Sequence, residues 1–198
     1  MRAPPPKALR VGLLLHSFKA PAAADSDRAV KELADGLVER GHEAFAFGCH
    51  RGPWERLCEE HRDVIRVHRL SERLLSARGF ITPVSHLPML LIAMLEERVN
   101  VVHAFSAVDA QAALAYRRFS RKPFVFSFAE PPRREELADR RGKLRFLQRA
   151  LRGSDAVTAT SADVRDAVER WLAMDVPIVE PGDADAYETL YQELIERR

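Results

Sequence analysis

Only two cysteines, Cys49 and Cys58, occur in 198 residues, too few for a disulfide scaffold. With no hydrophobic leader at the start, they point to free thiols in a reducing cytoplasm. Hydrophobic runs are short: the longest candidate, Leu87 to Leu95, carries Pro88 and falls below the roughly 18 residues that cross a bilayer. Net charge is nearly absent, with 31 Lys+Arg against 29 Asp+Glu, so the global balance argues against a nucleic-acid partner. Glycine is missing where phosphate loops need it. The turn after the first strand reads His16-Ser17-Phe18-Lys19-Ala20-Pro21, which excludes a dinucleotide fingerprint, and the Walker spacing occurs nowhere. No cofactor is expected.

What is present is ordinary globular material, 46% hydrophobic and 30% charged, enough for one domain with a sizeable core. Pro4-Pro5-Pro6 marks residues 1–8 as a tail. Leu9 to His16 is a nearly continuous apolar run, the pattern of a strand buried on both faces. Asp25 or Ser26 can cap a helix whose Val30, Leu33, Ala34, Leu37 and Val38 share a face, and Gly41 closes it. Strands follow at Ala44 to Phe47 and Val64 to Val67, then a helix over Met89 to Glu97 and a strand at Val101 to Phe105. Ala107 to Arg118 reads as helix, Pro123 to Phe128 as strand, Glu135 to Leu151 as a basic helix, and Asp155 to Thr160 as strand. Ser161 caps the next helix, and Pro177 to Val179 can add an edge strand. Strands joined by helical crossovers require a mostly parallel sheet with helices on both faces. The expectation is a single Rossmann-like, doubly wound α/β domain over 9–182, with a C-terminal helix over 183–198 that packs back on it.

Ligands of such sheets sit beyond the carboxyl ends of the strands. The candidates there are His16, Ser17, His103, Ser106, Glu130 and Ser161. Several carry a second reading: His103 as a hydrogen-bonded core group, Ser161 as an N-cap, Glu130 as a solvated carboxylate. No serine stands in a nucleophile elbow. Cys49, His50, Cys58 and His61 fit no standard zinc spacing, so no metal is expected. Arg141, Lys143, Arg145, Arg149 and Arg152 lie on an amphipathic segment that suits either a solvated helix face or an anionic membrane surface.

Several segments together resemble a known family. The helix "RAVKELADGLVERGHEAFAF", the strands "NVVHAFSA" and "KPFVFSFAEPP", and "SDAVTATSADVRDAV" running to "VEPGD" are similar, in order and spacing, to the N-terminal, acceptor-side domain of family 4 glycosyltransferases with the GT-B fold. The resemblance implies transfer of a sugar from a nucleotide donor, held by a C-terminal domain, to a sugar or lipid-linked acceptor held here. Departures accompany it. Ala22-Ala23-Ala24-Asp25-Ser26 stands where the family carries a Gly-Gly pair, and Ala129 stands where it carries a cleft histidine. The donor domain, with its paired glutamates, has no counterpart, while Tyr187 to Ile195 resembles the family's returning helix. No catalytic residue is assigned. The expected function is an acceptor-side domain that transfers sugar only with a donor-domain partner chain; the alternative is a non-catalytic binding or scaffold domain derived from such an enzyme.

Overall fold

The computed structural model describes residues 8–17, 25–50, 65–71, 87–132 and 141–198. Among them are β1 (Arg10–Ser17), α1 (Asp25–Glu39), β2 (Glu43–His50), β3 (Ile65–Ser71), α2 (Leu87–Glu96) and β4 (Val101–Ala104). Then come α3 (Ala110–Ser120), β5 (Phe124–Phe128), α4 (Arg141–Gly153), β6 (Ala156–Ala159), α5 (Ala162–Leu172) and α6 (Ala184–Glu196). The strands form one sheet in the order β3-β2-β1-β4-β5-β6, and every pairing is parallel. This is the doubly wound order of the Rossmann fold.

β1 is central because it can be buried on both faces. Val11, Leu13 and Leu15 point into a core with Val30, Leu33 and Leu37 of α1 and Tyr187, Tyr191 and Leu194 of α6. Leu14 points the other way, into a core built with Leu90 and Met94 of α2, Ala113 of α3, Leu147 of α4 and Val168 of α5. The period of two along the strand thus splits one apolar run between two cores.

Turn chemistry sets the element ends. Gly41 stops α1 at φ 83°, a left-handed conformation that costs glycine little. Ser161 accepts from the Val164 N–H at 3.4 Å and Asp183 from the Ala186 N–H at 3.0 Å, capping α5 and α6. The stretch from Ala107 is turn, and α3 begins three residues later than its composition suggests. The Phe105 N–H stays bonded to the Leu14 carbonyl at 2.9 Å, so the chain must turn before it can wind. β3 runs on to Ser71, beyond the apolar stretch, because Gly48, Cys49 and His50 of β2 pair with Arg69, Leu70 and Ser71. Beside β6, the segment at Ile178 makes a single bridge to Ala159. The tail and the basic helix before Arg141 lie outside the described residues.

α6 is held at both ends. Near its start, Glu188 receives Arg40 at 3.1 Å and lies 3.3 Å from the His42 ring, and Asp185 pairs with Arg40. Past its end, Arg198 joins Arg117 on the Asp155 carboxylate, each at 2.8 Å. α1 and α6 approach so closely that a Cβ on Gly36 would lie 2.8 Å from the Ala184 Cβ. Gly36→Val must therefore push the two helices apart. We expect a loss of ~1–3 kcal/mol in urea unfolding, and an unchanged midpoint would show that the contact is loose.

Candidate functional site

In this strand order the direction of winding reverses between β1 and β4, and the crevice of a doubly wound sheet opens beyond the strand ends there. The residues that follow β4, β5 and β6 therefore share one edge of the domain. Ser106 follows β4 and is half-buried; its carbonyl accepts from the Ala110 N–H at 2.9 Å, opening α3. Ala129 and Glu130 follow β5, and the Glu130 carboxylate is exposed. Ser161 follows β6 at the start of α5, where its hydroxyl is engaged as the cap. Adjacent strands lie about 4.8 Å apart, so these residues form a shallow polar row roughly two strand spacings wide. His16 and Ser17 end β1 beside this row, but their side chains lie outside the described ones.

Two further groups stand on this edge that sequence reading missed. Asp109, at the N-terminus of α3, is buried. Thr160 is buried too, donating to the Phe128 carbonyl at 3.1 Å and so tying β6 to the end of β5. The available signal for both was position, a polar residue between a strand end and a helix start.

His103 faces away from the row. Its ring is fully buried under α6, stacked 4.2 Å from Phe105 and tilted against Tyr187 at 5.2 Å. Nδ1 lies 2.6 Å from the Tyr191 hydroxyl and Nε2 2.6 Å from the Ser127 hydroxyl. Ser127 also meets the Thr158 hydroxyl, and Tyr187 donates to the Val179 carbonyl at 3.0 Å. One assignment satisfies every group: Tyr191 donates to Nδ1, Nε2–H donates to Ser127, and Ser127 donates to Thr158. It requires a neutral imidazole. Burial pushes the His103 pKa down to about 3, and it pushes the Tyr187 and Tyr191 hydroxyls up.

The basic helix α4 packs Leu147 and Ala150 into the core and leaves Arg145, Arg149 and Arg152 exposed. The side chains of Arg141 and Lys143 lie outside the described ones, as do those of Cys49, His50, Cys58 and His61. Among the described residues no cluster of metal-ligating side chains occurs, and no helix is long and apolar enough to cross a membrane.

The family model described as Glycosyltransferase Family 4 matches residues 26–182. Among solved structures, a sucrose-phosphate synthase from Thermosynechococcus elongatus matches with a TM-score of 0.67 at 16% identity, covering 87% of this chain and 48% of that one. A shorter chain of the same enzyme matches at 0.63 and 16%, over 93% of this chain and 98% of that one. Anabaena HepE, in complex with UDP and glucose, matches at 0.56 and 17%, over 82% of this chain and 41% of the other. The chain thus spans less than half the length of the longer structures, which are GT-B glycosyltransferases. At these identities the likeness establishes the fold. No curated protein matches the sequence.

Proposed function

The chain belongs to glycosyltransferase family 4, and from that premise we propose that it is the acceptor-side half of a GT-B transferase, with sugar transfer completed by a nucleotide-sugar domain on a partner. The supporting observation is the polar row at the β4, β5 and β6 ends, on the edge where the sheet order reverses. Ser106 and Glu130 offer hydroxyl and carboxylate partners to a sugar acceptor, and the α5 N-terminus offers partial positive charge. Among the described side chains the row holds no histidine. Ala129 occupies the position where the family carries a histidine, and His103 is turned into the core with both ring nitrogens engaged. A side chain that cannot reach the crevice cannot take a proton from an acceptor hydroxyl.

Ala129 also favours a second reading, a binding domain without catalysis. The two separate in one experiment. UDP-glucose and a panel of glycan and lipid acceptors are offered to the purified chain, alone and mixed with a nucleotide-sugar domain of a family 4 enzyme, while UDP release is followed and UDP binding is measured by calorimetry. The chain alone should release no UDP and bind it more weakly than ~1 mM, about 4 kcal/mol. Release only in the mixture supports the acceptor-half reading, and persistent silence supports the binding domain. Turnover or tight UDP binding by the isolated chain refutes both.

A further inference from the structure

A net charge of only +2 conceals an uneven distribution, with carboxylates gathered on α6 and α1 and cations on α3 and α4. On one side, α6 holds Asp185, Glu188, Glu193 and Glu196 with no basic residue along its length, and α1 is acidic too, with Arg28 and Lys31 as its only cations. On the other side, α2, α3 and α4 lie over the second core together with α5, whose Asp163, Asp166 and Glu169 stand among Arg165 and Arg170. α2, α3 and α4 contain a single acidic residue, Glu96. Arg118, Arg145, Arg149 and Arg152 of this layer are exposed.

The same layer exposes apolar side chains. α2 carries no charge from Leu87 to Leu95, a composition ordinarily found in a helix covered on all sides. Yet Ile92 is 47% and Leu95 44% exposed, and Phe119 at the last turn of α3 is 71% exposed. The Tyr116 hydroxyl donates to the Val99 carbonyl at 2.8 Å, which ties the ends of α2 and α3 together. Three large apolar groups therefore stand at one end of a cationic layer. The apolar face of α4 is committed to the core, so insertion falls to α2 and α3 and attraction to the arginines.

We propose that this face docks on anionic lipid bilayers. Ile92, Leu95 and Phe119 enter the boundary between headgroups and acyl chains, Arg118, Arg149 and Arg152 meet lipid phosphates, and the acidic α6 side is turned to water. Charge complementarity selects the occupant: an anionic surface attracts the arginines of α3 and α4 and repels the carboxylates of α6 and α5, which fixes the orientation.

Co-sedimentation of the full chain with phosphatidylcholine vesicles, with and without about one-third phosphatidylglycerol, tests this. Binding should need the anionic lipid and weaken as salt rises. A cation near such a surface contributes about fivefold in partitioning, so R118Q/R149Q/R152Q should bind on the order of 100-fold more weakly. L95S/F119S should lose at least ~10-fold. All these positions are exposed, and circular dichroism checks that both variants remain folded. The proposal is overturned by equal binding to neutral vesicles, by variants that bind as the parent does, by retention of poly(U) in place of vesicles, or by self-association that the arginine variant abolishes.

Discussion

Ending the chain at Asp183 should abolish cooperative unfolding. α6 buries Tyr187 and Tyr191 completely and Leu194 almost so, against Leu13, Val101 and Val125 of the sheet. Burying side chains of this size contributes ~1.5–3 kcal/mol each, so the three together supply about 5–9 kcal/mol. That is comparable with the whole margin of a typical domain, about 5–15 kcal/mol. The loss is compounded by polarity. Without Tyr191, His103 Nδ1 has no partner in the core, and without Arg198 the Asp155 carboxylate keeps only Arg117 and the Phe124 N–H. Urea titration followed by circular dichroism should show a broad, shallow transition for the truncated chain. Tyr191→Phe, which removes one hydroxyl from the same network, should stay cooperative and lose ~1–2 kcal/mol. A truncated chain with a sharp transition near the parent midpoint would show that α6 is dispensable.

Much of this fold is written locally. Leu9 to His16 and Pro123 to Phe128 announce buried strands by composition, and Ser161 and Gly41 mark helix ends through a cap and a left-handed turn. Strand order is not local, because nothing in an apolar run names its neighbour; β4 beside β1 follows from long crossovers. The candidate row shows the same division. Ser106, Glu130 and Ser161 were legible as polar residues after strands. The direction of His103 was not, since it depends on which face of β4 receives α6. The partner that turns it inward, Tyr191, is 88 residues away. Read as a stripe, Tyr187 and Tyr191 count as apolar bulk, and their hydroxyls carry no periodic signal. Composition averaged over the chain likewise hides the cations gathered on α3 and α4 and the carboxylates gathered on α6, which become visible only once each helix is placed on the sheet.

The buried imidazole predicts an acid sensitivity that begins above the carboxylate range. In the unfolded chain a histidine titrates near pH ~6.5, whereas His103 in the folded state is held down to about 3. Between these values the unfolded chain binds a proton that the native protein refuses, so stability must fall as pH falls, by up to about 1.4 kcal/mol per pH unit. The contribution is complete above the unfolded value and is used up below the folded one. No nearby charge offsets it: Tyr187 and Tyr191, the titratable groups packed on the ring, are pushed up by burial and remain neutral throughout. Asp155 acts in the same direction but lower. Burial alone would raise its pKa, and hydrogen bonds from Arg117, the Phe124 N–H and Arg198 outweigh that and hold it down, so its share is lost only within and below the carboxylate range. His103→Gln separates the two, since the amide keeps hydrogen-bonding groups and does not titrate. The variant should be less stable than the parent at neutral pH by ~1–3 kcal/mol and should decline less steeply through the mildly acidic range, so the gap narrows as pH drops. Groups away from the ring are common to both proteins and cancel in the difference. Parallel lines for parent and variant in urea midpoint against pH would mean that His103 is not the group whose burial opposes protonation.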